Sequence, residues 1–341
     1  MRTIYSGDWH FAPYSGPETE NTNNMTEKLY FLDKTIRNMC DYALKNQIGY
    51  ITSLGDIYHT KSMIYTSAQS VLLDLIREYK ELKFILLQGN HDLSSRSKIA
   101  SSTLKGFKSE SNVIVIDETK VLSEFPTSIF IPYTSNIVQE VKKNKADNLF
   151  SHFGLNEGVL NSGISIVSDI SIKDLASNYK NVVLGHYHGP QTISGLGCRV
   201  WYTGSPIQLD EGEKNEDKRF LIFDDITSEM ESIPTEGYRK LYEYKITEEN
   251  KEEVLERVKF NKSEGHDVRV LMTEKMDIEN IEEDIIIIDK TEKDIMNRGL
   301  SSTMTQEERL QRYMEIEEVP EKDREIYLIF GKSVINEVNS G

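Results

Sequence analysis

The chain has 341 residues, 38% of them hydrophobic and 28% charged, with a net charge of −16. This length predicts about two domains. The composition excludes fibrous and largely disordered classes, and no apolar run approaches the ~18 residues of a membrane span. The two cysteines form no disulfide framework and the first residues lack the apolar core of a secretory signal, so we expect a cytoplasmic protein.

The negative charge is uneven, because it concentrates in residues 226–341 while residues 1–225 are only mildly acidic. An acidic chain repels nucleic acid, so the composition argues against a protein that coats DNA by itself. It does not exclude an enzyme whose metal ions, or whose partner, supply the positive charge. We interpret the acidic last third as a solvated face more readily than as a partner site.

In the first hundred residues, strand and helix patterns alternate along the chain. Three of the strands end in a glycine followed by metal-binding residue types, and ligands of α/β sheets bind at the carboxyl ends of strands. The predicted strands are 3–5, 50–54 and 84–87, and the predicted helices are 26–45 and 67–79.

The strands predicted beyond residue 110 are short and close together, which indicates a two-sheet β-sandwich flanked by helices, an α/β fold. They are 113–116, 128–132, 148–152, 182–184, 200–203 and 220–223, with a weak helix at 167–179. A small α+β module follows, with strands 241–246, 268–272 and 285–288 and a helix at 249–260. A last helix, 305–318, begins with a capping box of Thr305 and Glu308.

Five groups of chemically active residues follow these strands in a fixed order. Each group alone is compatible with an ordinary turn or a packed histidine. Together they offer carboxylate, imidazole and amide ligands for divalent ions and no thiolate, which argues against a structural zinc site. They exceed the needs of one ion, and a shared carboxylate could bridge two. The groups are Asp8-Trp9-His10, Gly55-Asp56, Gly89-Asn90-His91-Asp92, His152 and Gly185-His186-Tyr187-His188.

This order resembles the DxH, GD, GNH(D/E), H and GHxH pattern of the calcineurin-like metallophosphoesterases, over about residues 1–225. The resemblance implies two divalent ions, most readily Mn²⁺. It implies that one ion is held by Asp8, His10, Asp56 and His188, and the other by Asp56, Asn90, His152 and His186. It further implies that His91 stabilises the scissile phosphate and protonates the leaving oxygen, while Asp92 holds the His91 ring.

The second motif is similar to the GDxFH form of SbcD-type DNA repair nucleases, with Tyr58 at the aromatic position and His59 as a further catalytic candidate. It lacks the Asp and Arg of the GDxxDR form found in phosphoprotein phosphatases. His59 is equally compatible with a packing role. Residues 202–206 and 220–224 also resemble the stretches that follow GHxH in SbcD-type nucleases, and the whole chain resembles related phage recombination endonuclease subunits.

The resemblance implies a nuclease domain at 1–225, a capping domain at 226–295 and a helical tail at 296–341. It also implies action on DNA as a homodimer within a heterotetramer with an SbcC-type coiled-coil ATPase, and no membrane partner. The tail helix, with Leu310, Tyr313, Met314 and Ile316, could dock that ATPase or pack on the chain's own cap. Two alternatives stay open: a phosphodiesterase for small nucleotides or a phosphoprotein, and a non-catalytic interaction subunit.

Overall fold

The computed structural model describes residues 1–14, 25–95, 101–159, 168–272, 285–289 and 306–316, with 319–321, 324, 327–328 and 331. The chain divides into two compact units, Met1–Leu241 and Tyr242–Gly341. The first unit therefore continues past residue 225, the boundary expected for the nuclease domain. The capping and docking roles expected for the later residues remain predictions.

The first unit holds most of the regular structure. Its strands are β1 (Arg2–Ser6), β2 (Tyr50–Ser53), β3 (Lys83–Leu87), β4 (Val113–Ile116), β5 (Ser128–Ile131), β6 (Asn148–His152), β7 (Asn181–Gly185), β8 (Gln191–Gly195), β9 (Cys198–Tyr202), β10 (Arg219–Asp224) and β11 (Met230–Pro234). Its α-helices are α1 (Glu27–Lys45), α2 (Thr66–Glu78), α3 (Ile137–Lys143) and α4 (Ile172–Ala176), and Thr103–Ser109 and Glu211–Glu213 form 3₁₀ turns.

These strands form two sheets. The first has the order β11-β10-β1-β2-β3-β4, with β1 to β4 parallel and β10 and β11 antiparallel. The second has the order β5-β6-β7-β9-β8, with only β8 antiparallel to its neighbour. Connections between parallel neighbours must cross over, which explains the helices between them.

The two sheets share one buried core. Tyr5 of β1 stacks on Phe150 of β6, with ring centroids 4.4 Å apart, and Phe223 of β10 packs edge-on against both rings. Separate cores on the outer faces join α1 and α2 to the first sheet, and α3 and α4 to the second. The predicted α/β sandwich flanked by helices is confirmed.

Helix α1 shows why these elements were predictable. Its apolar residues recur at three- and four-residue spacing, so they share one face. All are at most 1% exposed: Leu29, Leu32, Ile36, Met39, Cys40 and Ala43. Thr26 precedes the helix in an extended conformation, so the helix begins one residue after the predicted start at residue 26.

Two strands of the first unit went unpredicted, and both lie at a sheet edge. β8 alternates between half-buried and exposed residues, and β11 is half-buried at two positions and exposed at three. Edge strands face solvent on one flank and carry little of the apolar signal that identifies central strands. The antiparallel pairing of β11 with β10 is what carries the first unit past residue 225.

We expect Ser171→Ala to lower the free energy of unfolding by about 1 kcal/mol. Ser171 and Asp174 form a reciprocal capping box at the start of α4, and the Ser171 backbone N–H donates to Asp174 at 2.9 Å. Urea unfolding of the two proteins measures the difference. Lys173→Ala, in the same helix but at an exposed side chain, is the control. Equal stability of Ser171→Ala and the wild type would contradict the capping role.

The second unit contains a three-stranded sheet with the order β12 (Leu241–Ile246), β13 (Asp267–Met272) and β14 (Ile286–Asp289). Helix α5 (Lys251–Ser263) buries Val254 and Val258 against this sheet. A further helix, α6 (Gln306–Ile316), matches the predicted tail helix, although Thr305 of its capping box lies outside the described residues. Among the helices that the structure describes, none combines the length and apolarity of a membrane span.

Candidate metal centre

The predicted ligands gather where five parallel strands of the two sheets end. Because parallel strands finish at the same edge of a sheet, residues far apart in sequence meet there. Asp8 and His10 follow β1, Asp56 follows β2, Asn90 and His91 follow β3, His152 ends β6, and His186 and His188 follow β7.

The loops after these strands have an unusual backbone. Asp8, His10, Asp56 and His186 have positive φ angles of 53°, 50°, 52° and 102°. Non-glycine residues rarely adopt this region, and such strain concentrates at functional sites. Backbone hydrogen bonds between the loops stabilise this conformation. The Asp8 N–H donates to the Gly55 carbonyl at 3.0 Å, and the His10 N–H donates to the Asp56 carbonyl at 2.9 Å.

One group of donors is formed by Asp8, His10 and His188, whose nearest ligand atoms all lie within 4.8 Å of one another. The Nε2 atoms of His10 and His188 are 3.1 Å apart. The Asp8 carboxylate also accepts the His186 backbone N–H, with both oxygens at 3.0 Å. Asp8 and His10 are at most 2% exposed, so solvent does not satisfy them.

A second group forms around Asn90. Its Oδ1 lies 2.9 Å from His152 Nε2 and 3.1 Å from His186 Nδ1. Asp56 stands between the two groups: its Oδ1 is 3.4 Å from His152 Nε2 and its Oδ2 is 3.7 Å from His10 Nε2. One carboxylate thus presents each of its oxygens to a different donor group.

Burial and mutual charge shift the protonation of these side chains. Burial raises the pKa of Asp8 and lowers that of His186 to about 3. Burial also opposes ionisation of Asp56, but the neighbouring His152 outweighs it and holds the pKa of Asp56 well below its usual range. In the same pair, burial disfavours the His152 cation, yet the Asp56 carboxylate prevails and raises the pKa of His152 to about 9.

This donor set fits a pair of divalent cations. Ring nitrogens, carboxylate oxygens and an amide oxygen converge in two groups, without a thiolate, and Asp56 belongs to both. A buried approach of two ring nitrogens to 3.1 Å is a natural arrangement when both lone pairs face one ion. The residues predicted for the two ions are therefore brought together. Their division between the two ions stays a prediction, because the ligand atoms of Asp8, Asp56 and His152 also lie within 4.8 Å of one another.

His91 lies at the edge of the same site. Its backbone N–H donates to Asp56 Oδ1 at 2.8 Å, and its ring Nδ1 lies 2.5 Å from the carbonyl oxygen of His59. A carbonyl only accepts, so Nδ1 carries the proton and Nε2 keeps its lone pair or a second proton. The His59 ring is exposed and packs near the rings of His10 and Tyr14, with centroids 5.3 Å and 5.5 Å away.

Asp92 does something other than the expected orienting of the His91 ring. Its buried carboxylate accepts backbone N–H groups of Ile57 at 3.0 Å, Tyr58 at 3.2 Å and Gly89 at 2.8 Å. It thereby ties the loop after β2 to the loop after β3, and the His59 carbonyl makes the ring contact instead. Burial, with the nearby Asp56 charge, raises the pKa of Asp92 to about 7.

Two charged residues near the site were not predicted as functional. Glu213 Oε1 lies 2.8 Å from His188 Nδ1, and Lys218 lies beside Glu213; both side chains are 0% exposed. Burial opposes ionisation of Glu213, but His188 and Lys218 outweigh it and lower its pKa to about 2. The sequence offered only an acidic loop, and charged loop residues are normally solvated.

We expect the metal-free chain to lose stability as pH rises from 7 to 9. His152 has a folded pKa of about 9 against 6.5 when unfolded, so its stabilisation is complete below pH 6.5 and disappears as pH rises through about 9. A divalent ion competes with that proton, so stabilisation by added ion should grow over the same interval. Melting curves with chelator or with Mn²⁺ at each pH measure both trends. His152→Gln should flatten the chelator series; a metal-free wild type that becomes more stable toward pH 9 would contradict the assignment.

The chain is similar to several known proteins. The family model described as calcineurin-like phosphoesterase matches residues 1–215. Exonuclease subunit 1 of Enterobacteria phage T4 is 24% identical over 259 residues, which cover 71% of this chain and 70% of that protein. Two solved structures, an archaeal phosphodiesterase and a dimetal phosphatase from Danio rerio, each cover 69% of this chain and 99% of their own. Their TM-scores are 0.37 and 0.41, with 13% and 11% identity.

The family match spans well over half of the chain and contains every residue of the two donor groups. It also lies within the first compact unit, Met1–Leu241. The chain belongs to the calcineurin-like phosphoesterase family.

Proposed function

We propose that this chain is a Mn²⁺-dependent DNA nuclease that processes DNA ends in recombination and repair. The observation that carries the proposal is the similarity to a phage exonuclease subunit over 71% of this chain, more than the family model covers. The similarity to that subunit therefore extends beyond residues 1–215, which the family model matches. Exonuclease and endonuclease action on DNA are both phosphodiester hydrolysis, which suits a dinuclear site.

The chemistry divides between the ions and the chain. Two divalent ions supply an activated water nucleophile and neutralise charge on the phosphate. We assign one ion to Asp8, His10, Asp56 and His188, and the other to Asp56, Asn90, His152 and His186. We assign His91 to the leaving oxygen, because the His59 carbonyl fixes its Nδ1 and leaves Nε2 to carry a proton to the substrate.

Residues 55–60 favour a diester over a phosphate monoester. A monoester dianion calls for a cation beside the ions, and Thr60 occupies the position where the phosphoprotein phosphatase motif has Arg. Tyr58, at the aromatic position of the nuclease-like motif, is 1% exposed, with its ring centroid 6.5 Å from that of Phe107. Tyr58 therefore supports the loop. Bound ions would supply positive charge to attract DNA to an otherwise acidic chain.

We further propose that the chain acts as a homodimer within a heterotetramer with an SbcC-type coiled-coil ATPase. Helix α6 is the candidate docking element. Tyr313 is 43% exposed, whereas Met314 is 3% exposed and Leu310 is half-buried, so Tyr313 is the residue we assign to the contact. Tyr313→Ala should weaken co-purification with the ATPase and leave cleavage by the isolated chain unchanged.

The test is cleavage of end-labelled linear duplex DNA by the purified chain with Mn²⁺, with a small phosphodiester in parallel and chelator as control. We expect metal-dependent loss of the label or shortening of the DNA. Rapid hydrolysis of the small diester beside intact DNA, even with the ATPase present, would instead favour the phosphodiesterase for small nucleotides. A chain that binds no ions and cleaves neither substrate would indicate a non-catalytic interaction subunit.

A further inference from the structure

Behind His188 lies an ion pair buried in the first unit. Glu213 Oε2 and Lys218 Nζ are 2.7 Å apart, and both side chains are 0% exposed. Glu213 ends the 3₁₀ turn after Asp210, and Lys218 directly precedes β10. Burying such a pair removes both charges from water, which is costly unless every remaining donor and acceptor is engaged.

Both members of this pair contact the same histidine. Glu213 Oε1 lies 2.8 Å from the His188 ring Nδ1, and Lys218 Nζ donates to the His188 main-chain carbonyl at 2.9 Å. The second oxygen of Glu213 also accepts the Leu209 N–H at 3.0 Å, and Ser205 Oγ lies 3.0 Å from it. The pair therefore holds both the ring and the backbone of His188.

The geometry argues against a third cation site beside His188. His188, Asp210 and Glu213 place their ligand atoms within 4.8 Å of one another, which could suggest a third cation site. The Lys218 ammonium, however, sits 2.7 Å from Glu213 and is itself a cation. A metal ion there would face direct repulsion, so the carboxylate serves His188 instead.

The Glu213 carboxylate already accepts from Leu209 N–H and from the Lys218 ammonium. Toward the His188 ring it therefore acts only as a hydrogen-bond acceptor. His188 must then present N–H at Nδ1, which leaves Nε2 as the only ring nitrogen able to bind an ion, once it carries no proton. That Nε2 is the atom 3.1 Å from His10 Nε2. Partners of this kind fix the tautomer and orientation of metal-binding histidines.

We propose that Glu213 and Lys218 are positioning residues that fix the ring and tautomer of His188 for the ion shared with Asp8 and His10. The inference rests on the proposed two-ion site. The effect should be confined to one ion. Among the described hydrogen bonds, none joins Glu213 to the residues assigned to the other ion, which are Asn90, His152 and His186. Loss of Glu213 should weaken one ion and spare the other.

Calorimetric titration of the metal-free chain with Mn²⁺ tests this claim in Glu213→Gln. A glutamine can turn its carbonyl toward His188 only by facing its NH₂ toward Leu209 N–H and Lys218, which are also donors. We expect one ion to bind within about twofold of the wild-type affinity and the other to bind about 10- to 100-fold more weakly. Glu211→Gln, at an exposed carboxylate of the same turn, is the control and should bind both ions normally.

A second measurement needs no variant and covers the case in which Glu213→Gln fails to fold. In the ¹⁵N-histidine-labelled wild type loaded with Zn²⁺, the His188 ring should show a protonated Nδ1 and a coordinated Nε2. Circular dichroism establishes whether the variant is folded.

Three results would overturn the inference: unchanged affinities in a folded Glu213→Gln, equal weakening of both ions, or a coordinated Nδ1 in the wild type. DNA takes no part in these measurements. A chain that binds both ions as expected but leaves DNA intact would contradict the proposed nuclease and support this inference.

Discussion

His91→Ala should lower DNA cleavage by about 10²- to 10⁴-fold while both ions remain bound. The His91 ring donates from Nδ1 to the His59 carbonyl, so removing it deletes the proposed proton donor and no assigned metal ligand. Its backbone contact to Asp56 persists in alanine, because the backbone N–H makes that bond. Rates on end-labelled DNA and calorimetric ion counts are the two measurements.

The leaving group separates proton donation from charge stabilisation. A DNA 3′-oxygen is a poor leaving group and needs a proton, whereas nitrophenolate leaves without one. If His91 is the acid, the loss in His91→Ala should be much smaller for bis(p-nitrophenyl) phosphate than for DNA. Equal losses on both substrates would contradict the assignment of proton transfer to His91.

His266→Ala is the matched control for this experiment. His266 belongs to the second unit, where its ring centroid lies 5.6 Å from that of Tyr242. The control should cleave DNA as the wild type does. Undiminished cleavage by His91→Ala would contradict the proposed mechanism even if both ions bind.

The central strands and helices were predictable because burial imposes a period on them. β4, β6 and β12 match their predicted bounds residue for residue, and α1 differs by one residue at its start. The strands β8 and β11 were not predicted, because an edge strand is too little buried to require an apolar sequence pattern. Helix α3 fully buries only Val141, with Ile137 and Val138 partly buried beside it, and its seven residues are too few for an amphipathic period to stand out in the sequence.

The two donor groups were predictable for a different reason: their residue types follow strand ends in a recognisable order. The supporting contacts were not. Asp92 accepts from backbone N–H groups of another loop, and the backbone carbonyl of His59 orients His91. Both contacts use backbone groups, so the spacing of side chains in the sequence does not indicate them. Glu213 reaches His188 only because the chain returns after β9, a tertiary contact that local sequence does not encode.

Gly89→Ala should weaken both ions at once and lower DNA cleavage by at least about 100-fold. A Cβ at residue 89 would lie 2.2 Å from the Asp56 backbone nitrogen and 2.2 Å from its Oδ1. The backbone of the loop after β2 cannot move aside easily, so the carboxylate must leave its position between His10 and His152. A displacement of about 1 Å in a catalytic array is sufficient for a loss of this size.

Gly106→Ala supplies the control, because a Cβ there meets nothing within 4 Å and its backbone requires no positive φ. It should bind two ions and cleave DNA normally. In Gly89→Ala, overpacking is expected to cost about 1–3 kcal/mol, so circular dichroism and melting must show a folded chain before titration. A folded Gly89→Ala that binds both ions with wild-type affinity would show that Asp56 does not link them. Weakening of both ions, set against the single loss expected in Glu213→Gln, would place Asp56 at the junction of the two sites.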